Sequence, residues 1–294
     1  MNIWRHDENR NSPLSRKILV GLAAFGIAML AVGSSASSAS AKSLLERIKD
    51  GDTIRLGFTN GPPGAYPGKN NEPLGGVNAI TIDILKKMGT TKVESVVTDW
   101  ESLIPGLQAG RFDLITGGMY IKPERCRNVL FSEPFAMAED VLLVPKGNPQ
   151  GLHRWEDVRD KGLTLVTGSG YTAVKVAQEM GFADDKLMQV AGPPEIAQAV
   201  KTGRAAAGVV DSLDAKPVVA KDQSVELAAP YTSPVPKDYA AIAFPLGEQA
   251  AVDAFNAVLK DYLGSKEMIA SAGKFGYGTD NLPDATKTAE ICKR

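Results

Sequence analysis

Gly110-Arg111-Phe112-Asp113-Leu114-Ile115 runs on through Lys122-Pro123-Glu124-Arg125 to Phe131-Ser132-Glu133-Pro134-Phe135. The apolar stretch after Gly110-Arg111 predicts a buried strand. The paired glycines Gly117-Gly118 predict a loop, and Pro123 a short turn that sets Arg125 at the edge of a sheet. The second half repeats the plan: Gly203-Arg204 leads into the apolar strand Ala207-Gly208-Val209-Val210, which ends on Asp211. The duplication extends outward from there. In the first half, strands at 54–58, 93–97 and 114–116 alternate with helices carrying Ile80, Ile84, Leu85 and Met88, then Leu103, Ile104 and Leu107. In the second half, strands at 163–167, 187–190 and 207–210 alternate with helices carrying Val174, Ala177 and Met180, then Ile196, Ala199 and Val200. Strands alternating with amphipathic helices predict parallel sheets in an α/β fold, and two such units in tandem predict two similar α/β lobes.

Val141-Leu142-Leu143-Val144 and Ala240-Ala241-Ile242-Ala243-Phe244 flank the second unit and read as two crossover strands that form a hinge. That reading divides the chain into lobe 1, residues 42–143 plus 242–294, and lobe 2, residues 144–241. The helix with Val252, Phe255, Leu259 and Tyr262 on one face is expected to pack on lobe 1. Ligands of open α/β sheets bind beyond the carboxyl ends of the strands. The loops 60–68, 117–125, 168–172 and 211–213 are therefore expected to line one cleft.

The first 41 residues read as a secretory signal peptide. Arg5, Arg10, Arg16 and Lys17 precede an apolar run at 18–32, and Ala39-Ser40-Ala41 offers a cleavage site before Lys42. Arg16-Lys17 is not a twin-arginine pair, and no cysteine stands near the site to take a lipid, so general export to the periplasm is expected. Cleavage leaves 29 of 33 Lys+Arg and 32 of 34 Asp+Glu, a net charge of −3. That balance carries no basic excess for nucleic acid. Two cysteines, Cys126 and Cys292, in an exported chain favour a disulfide that pins the C-terminal tail near Arg125.

Chemistry concentrates in few residues. Arg125 can grip a carboxylate through two parallel charge-assisted hydrogen bonds, or else pair with Glu124 or Glu133. Gly118 lets backbone approach a ligand closely. Asp211 can accept hydrogen bonds from an ammonium, cap the segment that follows, or do both. Trp100, Tyr120 and Tyr66 are aromatic candidates for contact with a cation. Asn60 opens the first loop. Ser169, Gly170, Tyr171 and Thr172 form a glycine loop before a helix, where backbone N–H groups and hydroxyls donate. After cleavage His153 is the one histidine, so no Ser-His-Asp set can be assembled, and no metal cluster or cofactor motif is present. The chain reads as a binder of a small solute rather than an enzyme.

These stretches resemble the family-3 periplasmic solute-binding proteins of ABC importers, polar amino-acid type, over about residues 54–277. The resemblance implies the two-lobed type II periplasmic binding protein fold, closing about a two-strand hinge. It also implies a monomer that delivers a small zwitterionic solute to an inner-membrane ABC permease. By this likeness Arg125 takes the ligand carboxylate, the backbone near Gly118 and Tyr120 takes polar groups, and Asp211 takes the ammonium. Within the family the ectoine/hydroxyectoine-binding proteins are similar in Ile104-Pro105-Gly106-Leu107-Gln108-Ala109-Gly110-Arg111, Lys122-Pro123-Glu124-Arg125-Cys126 and Lys146-Gly147-Asn148-Pro149. A second cysteine close to the C-terminus fits that subgroup, and Trp100 and Tyr120 match its aromatic positions. Asn60-Gly61-Pro62-Pro63-Gly64 carries glycines where the ectoine binders have an acidic residue and a phenylalanine, and Asp211 stands where amino-acid binders hold the ammonium. An amino acid is therefore expected first and an ectoine-like compatible solute second. A dehydratase-like enzyme on the same scaffold is the rival class.

Overall fold

The computed structural model describes residues 41–293. The signal-peptide reading falls, apart from Ala41, outside the described residues. Two five-stranded sheets organise the rest. The first runs in the order Val93–Val97, Ile54–Phe58, Leu114–Ile115, Ala243–Phe244, Leu130–Phe131. Its first three strands are parallel, and Ala243–Phe244 enters antiparallel. The second runs Leu187–Val190, Leu165–Gly168, Ala207–Asp211, Asp140–Pro145, Val225–Leu227. Again three strands are parallel, and the fourth, Asp140–Pro145, is antiparallel. The two halves share one plan, as the duplicated pattern predicts.

The apolar runs form strands because both faces of each sheet are covered. Ile54, Leu56, Phe58, Leu114 and Ile115 are fully buried, as parallel strands between helical layers must be. The helix Gly76–Met88 buries Ile80, Ile84 and Leu85 on one stripe and ends at Gly89, whose φ of 134° closes the last turn. The helix Gln249–Tyr262 lies against it, burying Val252, Phe255, Leu259 and Tyr262. The Tyr262 hydroxyl donates to Asp83 Oδ2 at 2.6 Å and ties the two helices together. The expected packing of this helix on the first lobe is what the structure has.

The Gly110–Ile115 segment serves the architecture. Asp113, only 7% exposed in its side chain, accepts from Arg47 Nη1 at 2.7 Å, Arg55 Nη2 at 2.8 Å and the Arg55 backbone N–H at 2.8 Å. These bonds fasten the N-terminal helix Leu44–Lys49 and the strand Ile54–Phe58 to the start of Leu114–Ile115. Phe112 lies over Gly57 and Gly106, which have no Cβ to obstruct its ring.

The crossings differ in detail from the sequence reading. Asp140–Pro145 belongs to the second sheet along its whole length. The stretch read as one strand at 240–244 divides between two partners. Asp238–Ala240 pairs with Ala136–Ala138 as a separate antiparallel ribbon, and Ala243–Phe244 joins the first sheet. The reason is local hydrogen bonding: the Ile242 N–H turns to Ser132 Oγ at 3.1 Å and the Ala241 N–H to the Met119 carbonyl at 3.1 Å. A disulfide joins Cys126 to Cys292 across 166 residues, as expected from the cysteine count. The tail is held further by Thr288, whose hydroxyl donates to the Ser132 carbonyl at 2.7 Å.

Burial pushes the Asp113 carboxyl up, but the hydrogen bonds from Arg55 and Arg47 together outweigh it and hold the group at about 2. A carboxylate depressed in the folded state stabilises the fold above its unfolded value near ~4, and that contribution is lost as pH falls from there toward 2. Asp113→Asn is expected to cost about 2 kcal/mol at neutral pH, with wild type and variant converging near pH 2. Urea titrations across that pH range check this, and a gap independent of pH would exclude the ion pairs as its source.

Candidate functional site

The carboxyl ends of the strands in both sheets face one partly open cavity of about 60 Å³, room for several waters or one small solute. Arg125 reaches it from the short helix Pro123–Cys126, whose far end is held by the disulfide. Its Nη1 donates to the Tyr120 carbonyl at 2.9 Å, and the guanidinium carbon lies 5.8 Å from the centre of the Trp100 ring. Among the described residues no carboxylate lies within ion-pair distance of Arg125, so the pairing with Glu124 or Glu133 does not form. Burial lowers its proton affinity and Glu124 and Asp238 partly restore it, yet an arginine stays charged at any working pH. The neighbouring Lys122 is already neutralised, 2.6 Å from Asp238.

Asp211 ends its strand at the opposite wall. Its Oδ1 accepts from the N–H groups of Leu213 at 2.8 Å and Asp214 at 2.9 Å, capping the helix Ser212–Lys221. Of the roles read from the sequence, the helix cap is present, and the same residue lines the cavity. Two further carboxylates join it. Asp214 follows one turn into the helix, and Asp140 sits directly across the antiparallel pair from Asp211. Burial pushes the Asp211 carboxyl up against its backbone hydrogen bonds, and burial with the adjacent Asp211 pushes Asp214 up much further. Burial, Asp238 and Asp211 raise Asp140 to about 7.

Aromatic rings close the space. Trp100 and Tyr171 meet edge to face across the cleft, with centroids 5.2 Å apart. Tyr120 and Tyr277 complete the enclosure. The Tyr120 hydroxyl is buried close enough to Asp211 to help hold that carboxyl down, and makes no shorter hydrogen bond among the described residues. Gly118 (φ 75°) and Thr172 line the cavity as well. Gly170 (φ 72°) sits outside it, pressed on Trp100 and Glu101 so closely that a Cβ there would come within 2.8 Å of Glu101. Ser169 and Asn60 line an adjoining groove at the mouth. Tyr66 lies elsewhere: its ring packs edge-on against Phe275 at 6.3 Å.

Sequence reading missed Asp140, Asp214 and Tyr277. The Asp211-Ser212-Leu213-Asp214 spacing is a signal that could have found the second, since a residue three beyond a helix cap returns to the same end of the helix. Asp140 depends on strand register and Tyr277 on where the tail folds. No cluster of His, Cys, Asp and Glu suited to a metal occurs among the described residues.

Residues 54–276 match the model of the bacterial extracellular solute-binding proteins, family 3. The chain belongs to that family. A probable amino-acid ABC transporter periplasmic-binding protein of Sinorhizobium fredii is 33% identical over 258 residues, 84% of this chain and 85% of that relative. The crystal structure of EhuB in complex with hydroxyectoine superposes with a TM-score of 0.75 at 28% identity, covering 85% of this chain and 99% of that one. An ancestral amino acid-binding protein, described as a precursor of cyclohexadienyl dehydratase, superposes with a TM-score of 0.68 at 30% identity over 78% of this chain and 97% of its own. Family 3 membership and the type II periplasmic binding protein fold agree with the expectation drawn from the Gly110–Phe135 and Gly203–Asp211 stretches.

A carboxyl near 7 in the folded chain and near ~4 in the unfolded one binds protons on folding between those values, so Asp140 lowers stability as pH rises through that window. Asp140→Asn should therefore raise the melting temperature of the ligand-free protein by several degrees at pH 8 and much less at pH 4. Scanning calorimetry at both values decides it, and equal shifts would mean the carboxylate charge is not the cause.

Proposed function

We propose that this family 3 protein captures a small zwitterionic solute in the periplasm, an α-amino acid before any other, and hands it as a monomer to an ABC permease in the inner membrane. The observation that carries the reading is the unpaired Arg125 guanidinium in a cavity whose far wall bears Asp211. A carboxylate at Arg125 and an ammonium at Asp211 satisfy both walls at once and link them. Capture then works by closure, because only the closed state offers both contacts. The hinge is the ribbon of Ala136–Ala138 and Asp238–Ala240, which lies where the chain passes between the sheets. Lobe 1 then spans residues 42–135 with 241–294, and lobe 2 spans 140–237, a small shift from the boundaries read in sequence.

An ectoine-like compatible solute is a second reading, favoured by the enclosure of Trp100, Tyr120, Tyr171 and Tyr277, whose faces suit a delocalised cation. The likeness to the hydroxyectoine complex supports it. Catalysis is the rival class: Asp140, held at about 7, has the proton affinity of a general acid. We assign no turnover, since no reacting partner for that acid is identified. Incubating the protein with the solute it binds and finding a converted product would reverse this.

Titration calorimetry on ligand-stripped protein against the common amino acids, ectoine and hydroxyectoine tests the assignment. Arg125→Ala is expected to weaken binding of the preferred solute at least a hundredfold, as loss of a buried bidentate ion pair does. Affinity within threefold of wild type would remove the carboxylate clamp.

A further inference from the structure

One end of the cavity is built by a residue that arrives from the C-terminal tail. Tyr277 follows Gly276, whose φ of 88° turns the chain back after the helix Lys266–Ala272, and its N–H donates to the Ala272 carbonyl at 3.3 Å. The ring is buried, lines the cavity and leans on Phe135, with centroids 6.4 Å apart. Two glycines leave the space it fills. A Cβ on Gly76, the first residue of the helix Gly76–Met88, would overlap the ring. A Cβ on Gly64 would lie 3.3 Å from the tyrosine hydroxyl and 3.8 Å from Asp214 Oδ1. The tail and the helix Ser212–Lys221 thus bring their polar tips to one point, beside Gly64. Leu213, next to Asp214, is buried in the same apolar cluster as Tyr277, which fixes the two elements against each other. Burial, with Asp214 and Asp211 adding to it, raises the Tyr277 phenol, and burial with Asp211 pushes Asp214 well above the usual carboxylate range. This end of the cavity therefore meets a solute with neutral groups and bulk.

We infer that Tyr277 is a specificity-determining residue: backed by Gly76 and meeting Asp214 at Gly64, its side chain is the stop that limits how long a solute the cavity accepts. This rests on the capture reading above. A solute held at Arg125 and Asp211 has its carboxylate and ammonium committed, and Asp214, one helical turn beyond Asp211, marks the wall that the rest of it runs toward. A ring packed between Phe135 and the start of a helix cannot give way cheaply, because packed interiors resist added volume. Each carbon beyond the fit is expected to lower affinity about tenfold or more.

Calorimetry on ligand-stripped protein with glycine, L-alanine, L-2-aminobutyrate, L-norvaline and L-norleucine, a ladder lengthening one carbon at a time, tests this. Wild type is expected to bind one member below norleucine most tightly and to lose tenfold or more at the next. Tyr277→Ala is expected to move the tightest member up by at least two carbons, with thermal melts showing that the variant folds. The opposite change keeps the test open if it does not. Gly64 lies outside the left-handed region, so alanine suits its backbone, and Gly64→Ala adds a methyl group at the tyrosine tip. It is expected to weaken the longest solute bound about tenfold, and Tyr277→Phe in the same chain, by removing the hydroxyl that the methyl meets, is expected to restore most of that loss. Three outcomes overturn the inference while leaving capture intact: norleucine binding wild type most tightly, a tightest member that stays the same in folded Tyr277→Ala, or a Gly64→Ala loss that Tyr277→Phe does not relieve. Wild type binding no member of the ladder overturns the capture of an α-amino acid, and the inference with it.

Discussion

A guanidinium withdrawn from water keeps its charge and must be met by an anion or by strong dipoles. At Arg125 the protein supplies one backbone carbonyl and the face of Trp100 and stops there. Much of the surrounding structure serves to maintain that incomplete state. The disulfide and the bonded tail fix the short helix that carries the side chain, and the Lys122–Asp238 pair engages one neighbouring carboxylate. The facing carboxylates are kept close to one another by strand register and by a helix cap, both of which are set by backbone geometry. The cleft thus brings a guanidinium and carboxylates to opposite walls without pairing them with each other.

The opposing walls come from two copies of one architectural idea. Each sheet has three parallel strands followed by an antiparallel strand that arrives directly from the crossing ribbon. In the second sheet that strand brings Asp140 into the site at its first residue. In the first sheet the corresponding crossing passes Ala240, which bridges Tyr120. The crossing strands therefore supply cavity wall as well as connection.

The sheets and helices were legible because their residues alternate or recur with period. Ile54–Phe58 and Leu187–Val190 lie where apolar patterning places them, and the stripe of Ile80, Ile84 and Leu85 faces inward. Arg125, Asp211, Tyr120, Trp100 and Tyr171 were legible as candidates because they lie at or just after strand ends in sequence. What stayed hidden depends on pairings distant in sequence. Asp140 faces the cleft through its register with Asp211, a relation of residues 71 positions apart that no local pattern encodes. Tyr277 arrives from the tail, against Phe135 and over Gly76. Tyr66 shows the converse: a loop aromatic looks the same in sequence whether it faces a ligand or packs on Phe275. Asp113 drew attention by its motif, and its chemistry is that of a rivet between strands.

The discontinuity of the first sheet sets how much of the chain each half needs. Every strand of the second sheet lies between residues 140 and 227, so that sheet is contained in one uninterrupted segment. The first sheet begins earlier, at Ile54, yet cannot close until Ala243–Phe244 slides between Leu114–Ile115 and Leu130–Phe131. The Arg125 helix waits longer still, for Cys292, the third residue from the end of the chain. Here the half that begins first in sequence is completed last, and a fragment that stops short of Cys292 lacks the covalent anchor of the Arg125 helix.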